Sequence, residues 1–421
     1  MAEIIVAGAG IVGVSTAIWL QRAGHSVTIV DREGPAAGTS YGNAGVLASG
    51  AIVPVTTPGL WRKAPFMVLD KNSPLFVKWS YLPKMLPFLW KFMRHATDAH
   101  VTSFASAMSG LLHDSVEQHR ALAAGTGAED YITEEDFCFG YPDRESFDAD
   151  AYGWKLRKDN DVVFEVQTGA EFAEYDPLYA ESFGIVVRCK NHGRISDPGA
   201  YIKALARHFE EEGGKFIIAN VSDVIRDETG LRGFKTDAGE LRGDHAVLAL
   251  GAWSKPLGRK MGLDIPLESE RGYHIELVNP SHMPKAPMMV AAGKFVITPM
   301  AGRIRCAGVV EFGGLTKPPS EAPFNLLKRH ISDIFPELTY DRMESWMGHR
   351  PSTPDSLPLI GSTDETNSGF AALGHQHVGL TAGPKTGRII AGLISGQKPN
   401  MDLAPFPRPD IVKTAQLGFP V

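Results

Sequence analysis

The glycine-rich segment near the N-terminus constrains the fold of this chain more than any other feature. It follows an apolar run at residues 4–7, reads Gly8-Ala9-Gly10-Ile11-Val12-Gly13, and leads into a helical pattern over residues 14–23. Glycine permits a tight turn at the first position, close approach of a pyrophosphate at the second, and close packing of helix on strand at the third. The order of strand, glycine turn and helix predicts a Rossmann-like nucleotide-binding unit.

An acidic residue closes the second predicted strand. Asp31 follows the apolar residues 27–30 and is itself followed by Arg32. A carboxylate at the end of this strand can accept hydrogen bonds from the ribose hydroxyls of a bound dinucleotide. The motif therefore extends over the whole first strand-helix-strand unit.

Length and charge narrow the class of protein. A chain of 421 residues exceeds what one hydrophobic core usually holds, which predicts at least two domains. With 42 basic and 48 acidic side chains the net charge is -6, so a nucleic-acid partner is not expected. Three scattered cysteines favour a reducing compartment, and the first strand starts too early to follow a secretion signal, so we expect a cytoplasmic protein.

One aromatic segment suggests two different surfaces. Residues 75–93 are rich in Trp, Tyr and Phe, yet they contain Pro83, Pro87 and three lysines, so they do not form a simple transmembrane helix. They could form a surface that dips into a membrane interface, at the inner face of the cell membrane. The alternative is a helix packed on the body of the protein, since aromatic stripes are more often core.

Later segments show where the chain changes character. Asp197 and Pro198 predict an N-cap and first turn of a helix, and a meander of short strands follows it. Strands at about residues 272–278, 293–299 and 304–310 suggest an antiparallel sheet. Near the C-terminus a strand and a glycine-rich turn lead into a helix that we expect to begin at Pro384.

Several motifs together resemble one family. They are residues 8–13, Asp31-Arg32 with residues 38–45, residues 249–254, residues 271–274, residues 348–355 and residues 374–387. In this order they resemble the FAD-dependent D-amino-acid oxidase superfamily, and within it the bacterial D-amino-acid dehydrogenases. The resemblance implies an α/β fold with a discontinuous Rossmann-like FAD-binding domain and an α+β substrate domain built on a largely antiparallel sheet. We assign residues 1–50, 192–265 and 344–421 to the first domain, and residues 51–191 and 266–343 to the second.

By the same resemblance, noncovalent FAD is the expected cofactor. Its expected contacts are Gly8, Gly10, Ile11, Val12, Gly13, Asp31, Arg32, Ser40, Asn43, Ala44, Gly45, Val46, Val221, Gly251, Trp253, His377, Val378, Gly379, Leu380 and Thr381. His375 and His377 lack a third ligand at a suitable spacing, so no metal site is predicted.

Oxidation of a 2-amino acid at Cα requires a fixed carboxylate and a neutral amine. A planar guanidinium can bind the carboxylate with two charge-assisted hydrogen bonds, and Arg350 is our first candidate for this role. Arg271 is a second candidate, with Tyr273 as a hydroxyl donor. His274 is a candidate acceptor for the amine proton, because an imidazole pKa ordinarily lies near neutral pH.

The expected activity is oxidative deamination of D-amino acids. Hydride would pass from Cα to flavin N5, water would hydrolyse the imino acid to a 2-oxo acid and ammonia, and a quinone or another carrier would take the electrons. D-Proline or hydroxy-D-proline is a narrower candidate substrate. The alternatives are an oxygen-using oxidase of glycine or sarcosine, a non-catalytic flavin carrier or subunit, and a nicotinamide dehydrogenase.

Overall fold

A computed structural model describes residues 1–62, 73–180 and 182–406. Its strands are β1 Glu3–Ala7, β2 Ser26–Asp31, β3 Val46–Leu47, β4 Leu75–Val77, β5 Ile132–Tyr141, β6 Phe164–Thr168, β7 Ile185–Ile195, β8 Lys215–Ile218, β9 Val221–Asp227, β10 Gly230–Thr236, β11 Gly239–Arg242, β12 His245–Leu248, β13 Glu268–Val278, β14 Met288–Val290, β15 Phe295–Met300, β16 Arg303–Phe312, β17 Arg342–Ser352, β18 Leu359–Ser362 and β19 Gly369–Leu373. Its α-helices are α1 Ile11–Arg22, α2 Leu82–Arg94, α3 Asp98–Leu112, α4 Ser115–Ala123, α5 Arg144–Asp148, α6 Ala151–Asp159, α7 Gly169–Tyr175, α8 Pro198–Glu211, α9 Ser254–Lys260, α10 Glu321–Ile334 and α11 Gly379–Ile394.

The nucleotide-binding sheet has the order expected for a Rossmann-like unit. Within the described ranges it contains six strands in the order β18-β19-β12-β1-β2-β8, all parallel except the edge strand β18. Helices α1, α8 and α11 pack on one another through a common apolar core. The predicted unit is confirmed, and a three-stranded meander of β9, β10 and β11 lies beside it.

The second sheet is larger and mostly antiparallel. Among the residues that the structure describes it holds ten strands, with the main path β17-β13-β16-β15-β14-β5-β7-β3 and with β4 and β6 at its sides. Only the β14–β5 and β16–β4 pairs run parallel. The predicted α/β fold with a largely antiparallel second sheet is therefore confirmed.

The division of the chain into two domains remains a prediction, and three segments depart from it. Strand β17 pairs with β13 along its whole length, so residues 344–352 belong to the large sheet. Strand β3 pairs with β7 in the same sheet, although it falls within predicted segment 1–50. Conversely, helices α3 and α4 contribute to the core around α1 and α11.

The sequence predicted the start of α8 correctly and the start of α11 incorrectly. The Asp197 side chain accepts a hydrogen bond from the amide of Ala200 at 2.9 Å, and Pro198 opens α8 as expected. Helix α11, however, begins at Gly379, and Pro384 lies inside it. A proline within a helix removes one amide donor, and the consequence for Leu380 is described below.

Candidate active site

A groove runs along the carboxyl ends of the parallel strands, starting at the glycine turn. Gly8, Gly10, Ile11 and Val12 line it, whereas Gly13 does not. A Cβ on Gly13 would lie 1.9 Å from the carbonyl oxygen of Gly8, so this glycine allows α1 to pack against the turn. The three glycines thus meet the different steric demands expected from the sequence.

Two helix N-termini belong to this groove. Gly10 is the N-cap residue of α1 and Val378 is that of α11. In neither helix does the side chain of the N-cap residue accept a hydrogen bond from the first-turn amides. The Ile11 amide donates to Ser40 Oγ at 3.1 Å. Uncapped helix N-termini attract anionic groups through their amides and dipole, so α1 suits a pyrophosphate.

The other end of the groove is framed by the expected nucleoside-binding residues. Asp31, Arg32, Val221, Gly251 and Trp253 all line it. The Arg32 guanidinium lies 4.5 Å from the centroid of the Trp253 ring. Asp31 accepts hydrogen bonds from the amides of Ala9, Glu33 and Gly34, so it also shapes the glycine turn.

Sequence reasoning missed part of this wall. Additional lining residues are Glu33, Gly34, Ala37, Gly38, Thr39, Ala219, Asn220, Ser222, Ala249, Leu250, Pro256, Leu257, Lys260, Pro351, Ala372, Leu373, Gly374, His375 and Gln376. Several of them lie within the motifs quoted above, at residues 38–39, 249–250, 351 and 374–376, and these motifs were the available signal. Lys260, at the end of α9, had no motif to indicate it.

The loop over residues 39–45 connects the groove with the large sheet. Ser40 and Asn43 line the groove, while Ala44, Gly45 and Val46 continue from it into β3. Arg305 on β16 donates to the carbonyl oxygens of Tyr41 and Asn43, at 2.9 and 2.5 Å. The large sheet therefore holds this loop by its backbone.

The turn that precedes α11 closes the groove. Gly379 and Leu380 line it, Val378 is buried in the core, and the Thr381 hydroxyl donates to the carbonyl oxygen of Val46 at 3.2 Å. These contacts join the turn to β3. His377, a predicted cofactor contact, does not line the groove.

A buried histidine completes the hydrogen bonding of this turn. The carbonyl of Leu380 would normally accept from residue 384, but Pro384 has no amide hydrogen. His119 Nε2 lies 2.9 Å from this oxygen and Nδ1 lies 2.9 Å from the Tyr201 hydroxyl. Burial lowers the pKa of His119 to about 4, so the ring is neutral, with its proton on Nε2. His119 thus replaces the hydrogen bond that Pro384 removes.

Arg350 lies on the face of the large sheet that carries Glu270, Gly272 and His274. Its guanidinium crosses Gly272, where a Cβ would lie 2.5 Å from Cζ, and Nη2 is 3.5 Å from the carbonyl oxygen of Gly308. No carboxylate in the described ranges forms an ion pair with it. Burial lowers the pKa of Arg350, opposed by the charge of Glu270. An unpaired, partly exposed guanidinium of this kind is suited to binding an anion.

His377 approaches Arg350 from the α11 turn. Its side chain is solvent-accessible, yet the surrounding protein and the charge of Arg350 lower its pKa to about 4. A nearby positive charge disfavours the protonated form of an imidazole. The structure therefore places His377 beside the candidate anion-binding arginine.

The structure corrects the predictions for Arg271 and Tyr273. Arg271 is fully buried and donates to Glu311 and to the carbonyl oxygens of residues 313, 314, 317 and 318. The Tyr273 hydroxyl donates to Glu311 at 2.6 Å and accepts from the amide of Ser320. Both alternate with Gly272 along β13 and so lie on the opposite face from Arg350. They hold the segment after β16 and do not face the site.

The prediction that His274 takes a proton near neutral pH is also wrong. Its ring stacks on Trp346 with centroids 5.1 Å apart, and Nδ1 lies 3.2 Å from the carbonyl oxygen of Gly42. Burial, followed by the charge of Arg305, lowers the pKa of His274 to about 3. His274 therefore supports the loop over residues 39–45.

The remaining candidates for special chemistry give no site. In the part of the chain that the structure describes, no group of three or more His, Cys, Asp or Glu side chains could hold a metal ion. Cys138, Cys189 and Cys306 are buried, and burial raises the pKa of the Cys189 thiol to about 12. No helix among the described residues has the length and apolar character needed to cross a bilayer.

Comparison with known proteins identifies the family. The model of a family described as FAD dependent oxidoreductase matches residues 3–393. The chain belongs to this family. This FAD-dependent oxidoreductase is 40% identical over 413 residues to a D-amino-acid oxidase of Bradyrhizobium diazoefficiens, covering 96% of this chain and 97% of the relative. It is 30% identical to a D-amino acid dehydrogenase of Rhizobium rhizogenes, covering 96% and 98%.

Solved structures agree on the fold. Glycine oxidase from Geobacillus kaustophilus matches with a TM-score of 0.75 and 21% identity, covering 97% of this chain and 98% of its own. Membership of the family makes FAD the cofactor of this oxidoreductase. The groove fits it, since α1 would face the pyrophosphate and the α11 turn would face the flavin. The family and its curated relatives establish FAD-dependent amino-acid oxidation as the general activity.

Gly272 provides a specific test of how Arg350 is positioned. Replacing Gly272 with alanine should displace the guanidinium, because the new Cβ would occupy its place. We expect KM for the amino-acid substrate to rise about tenfold, the effect of losing roughly 1.4 kcal/mol of binding. FAD content should not change. An unaltered KM in steady-state assays would show that Arg350 does not need this position.

Proposed function

We propose that this enzyme oxidises D-amino acids to imino acids, which water hydrolyses to 2-oxo acids and ammonia. The observation that carries the proposal is Arg350, a guanidinium without an ion pair among the described residues, on the sheet face that approaches the α11 turn. Two relatives named for D-amino-acid oxidation, at 40% and 30% identity, support the D configuration.

In this proposal each part of the site has one task. Arg350 binds the substrate carboxylate and orients Cα, and the α11 turn and residues 44–46 hold the flavin, which is bound without a covalent link. Bound FAD supplies the acceptor for the hydride that leaves Cα. The surrounding protein excludes water, which strengthens the contact between guanidinium and carboxylate.

The decisive experiment is anaerobic mixing of the FAD-loaded enzyme with separate D-amino acids, glycine, sarcosine and the matching L-amino acids. We expect D-amino acids to bleach the oxidised flavin band. The panel includes D-proline and hydroxy-D-proline, the narrower substrates expected from the sequence. Bleaching by glycine or sarcosine alone would favour the amine oxidase alternative. No bleaching by any compound would support a non-catalytic flavin protein.

For the electron acceptor we propose a quinone or another carrier, reached at a membrane surface. The supporting feature is the outer side of α2 together with the turn before it. Trp79 in the turn and Leu86 and Trp90 in the helix are 61%, 54% and 69% exposed. Lys84, Lys91 and Arg94 are exposed nearby, and the sequence from residue 75 to 95 contains no acidic side chain. The opposite side of α2 packs on the large sheet, as the alternative interpretation expects, and the membrane proposal rests on the outer side.

An aromatic and basic surface fits an anionic bilayer, with tryptophan at the headgroup level and lysine near the phosphates. We therefore propose a cytoplasmic protein that binds peripherally to the inner face of the cell membrane. The W79Q/W90Q variant should lose sedimentation with vesicles that contain phosphatidylglycerol, while the Y340Q variant, which changes an exposed aromatic residue elsewhere, should retain it. Equal sedimentation of both variants would contradict the proposed surface.

Oxygen is a second candidate acceptor, because the relative at 40% identity is named an oxidase. Aerobic assays separate the two. Hydrogen peroxide formed in equal amount to the substrate consumed, without any added acceptor, would favour oxygen and contradict the quinone proposal.

A further inference from the structure

The substrate must lose a proton before it can be oxidised. An α-amino group is largely protonated near neutral pH, and hydride leaves Cα readily only when nitrogen has a free electron pair. We propose that the carboxylate of Glu270 accepts this proton from the substrate ammonium group. The inference rests on the proposed function and assigns the proton-accepting role to a residue that the sequence motifs did not indicate.

Strand pairing places Glu270 next to the predicted carboxylate site. Glu270 on β13 and Arg350 on β17 are direct cross-strand partners and therefore share one face of the sheet. The Arg350 side chain turns toward Gly272, two positions along β13, and its guanidinium is near enough for the charge of Glu270 to act on it, although the two form no ion pair among the described residues. A single carbon separates the carboxylate and the nitrogen of an α-amino acid. A substrate bound to Arg350 can therefore direct its nitrogen toward Glu270.

Other charged and polar groups around Glu270 support this role. Arg350 and Ser352 face it from β17, and Glu268 lies two positions away on its own strand. Glu268 accepts from the Tyr81 hydroxyl at 2.9 Å and so has its own partner. Burial raises the pKa of Glu270 and outweighs the opposing charge of Arg350. A carboxylate with a raised pKa is a better proton acceptor near neutral pH.

The two histidines nearby are poorer acceptors. His274 stacks on Trp346 and contacts the carbonyl of Gly42, and its pKa is lowered to about 3. His377 faces Arg350, and its pKa is lowered to about 4. In the proposed step one ammonium proton moves to a Glu270 oxygen, the nitrogen keeps the electron pair of the broken N–H bond, and Glu270 later returns the proton to solvent.

The test compares E270Q with E268Q, a matched change on the same strand and face. The rate of anaerobic flavin reduction by D-alanine is measured from about pH 6 to pH 10, and benzoate binding is measured from the flavin spectrum. We expect E270Q to lower the rate near pH 7 by about 100-fold, the usual scale of a lost general base. The rate should recover toward pH 10, where the free amine is abundant. E268Q should keep a rate near pH 7 close to that of the wild type, because Glu268 has the smallest of the influences on the pKa of Glu270, and benzoate should bind all three proteins similarly.

Three results would overturn the inference. One is an E270Q profile that superimposes on the wild type. Another is a loss of rate that is independent of pH and accompanied by weaker benzoate binding, since Glu270 would then only position Arg350. The third is failure of the wild-type enzyme to be reduced by any D-amino acid, which would refute the proposed function as well.

Discussion

Replacing Arg350 with methionine should weaken substrate binding by roughly 150-fold, which corresponds to about 3 kcal/mol. Two charge-assisted hydrogen bonds to the substrate carboxylate would be lost in a partly buried site, and methionine retains much of the side-chain length without the charge. The measurement is the dependence of anaerobic flavin reduction on D-amino-acid concentration. FAD content should be unchanged, because Arg350 does not line the FAD groove.

Arg342 offers a matched control on the same strand. It is exposed, lies on the same face of β17, and pairs with Glu344 at 2.7 Å. The R342M variant should bind substrate as the wild type does, since exposed ion pairs contribute little. Comparable weakening in R342M and R350M would indicate a general effect of charge on the sheet and would remove Arg350 from its proposed role.

Replacing His119 with leucine should lower the free energy of unfolding at pH 7 by about 3 kcal/mol or more. The change would leave the Leu380 carbonyl and the Tyr201 hydroxyl without their hydrogen-bond partner in the interior, at roughly 1 to 3 kcal/mol for each buried polar group. Chemical denaturation, followed by tryptophan fluorescence, measures the effect. FAD should also dissociate more readily, because Leu380 lines its groove.

A change of pH distinguishes this explanation from a simple packing defect. The pKa of His119 is about 4 in the folded protein and is ordinarily 6.5, so unfolding takes up a proton as the pH falls below 6.5. This uptake of a proton should lower the free energy of unfolding of the wild type by about 2 kcal/mol at pH 5. The H119L variant lacks the imidazole and should not show this decrease. The difference between the two proteins should therefore shrink between pH 7 and pH 5.

His113, an exposed histidine just after α3, is the control. The H113L variant should remain within about 0.5 kcal/mol of the wild type. H119Q, whose amide can still donate a hydrogen bond, should lose less stability than H119L. If H119L were as stable as H113L, the carbonyl of Leu380 would not depend on His119.

The sequence predicted the strands, glycine turn and helix of the nucleotide-binding unit correctly because their constraints are local. Gly8, Gly10 and Gly13 answer steric demands within one turn, and Asp31 stands at a fixed place after its strand. Asp197 likewise predicts the start of its helix, because an N-cap contacts only residues a few positions away. Such features can be derived from a short stretch of chain.

The substrate half was predicted less well because the face of a buried strand is not encoded locally. Residues throughout β13 are buried on both sides, so no alternation of polar and apolar residues shows which face meets the site. Arg271 and Tyr273 have suitable chemistry, but their side chains lie on the sheet face opposite Arg350. Glu270 lies on the same face as Arg350. The helix start predicted at Pro384 was wrong for a related reason. The hydrogen bond to the Leu380 carbonyl that Pro384 cannot donate comes from His119, which is distant in sequence.

Charged side chains of the large sheet contact the nucleotide-binding half of the molecule. Arg305 contacts Glu276 and the backbone of the loop over residues 39–45, and Arg303 joins Glu276 to Asp197 at the start of α8. Moving the two halves apart would separate Arg303 from Asp197 and would remove the hydrogen bonds from Arg305 to the loop, whereas the buried Arg305–Glu276 pair lies within the large sheet and would stay intact. We therefore expect the two halves of the molecule to move little relative to each other during turnover.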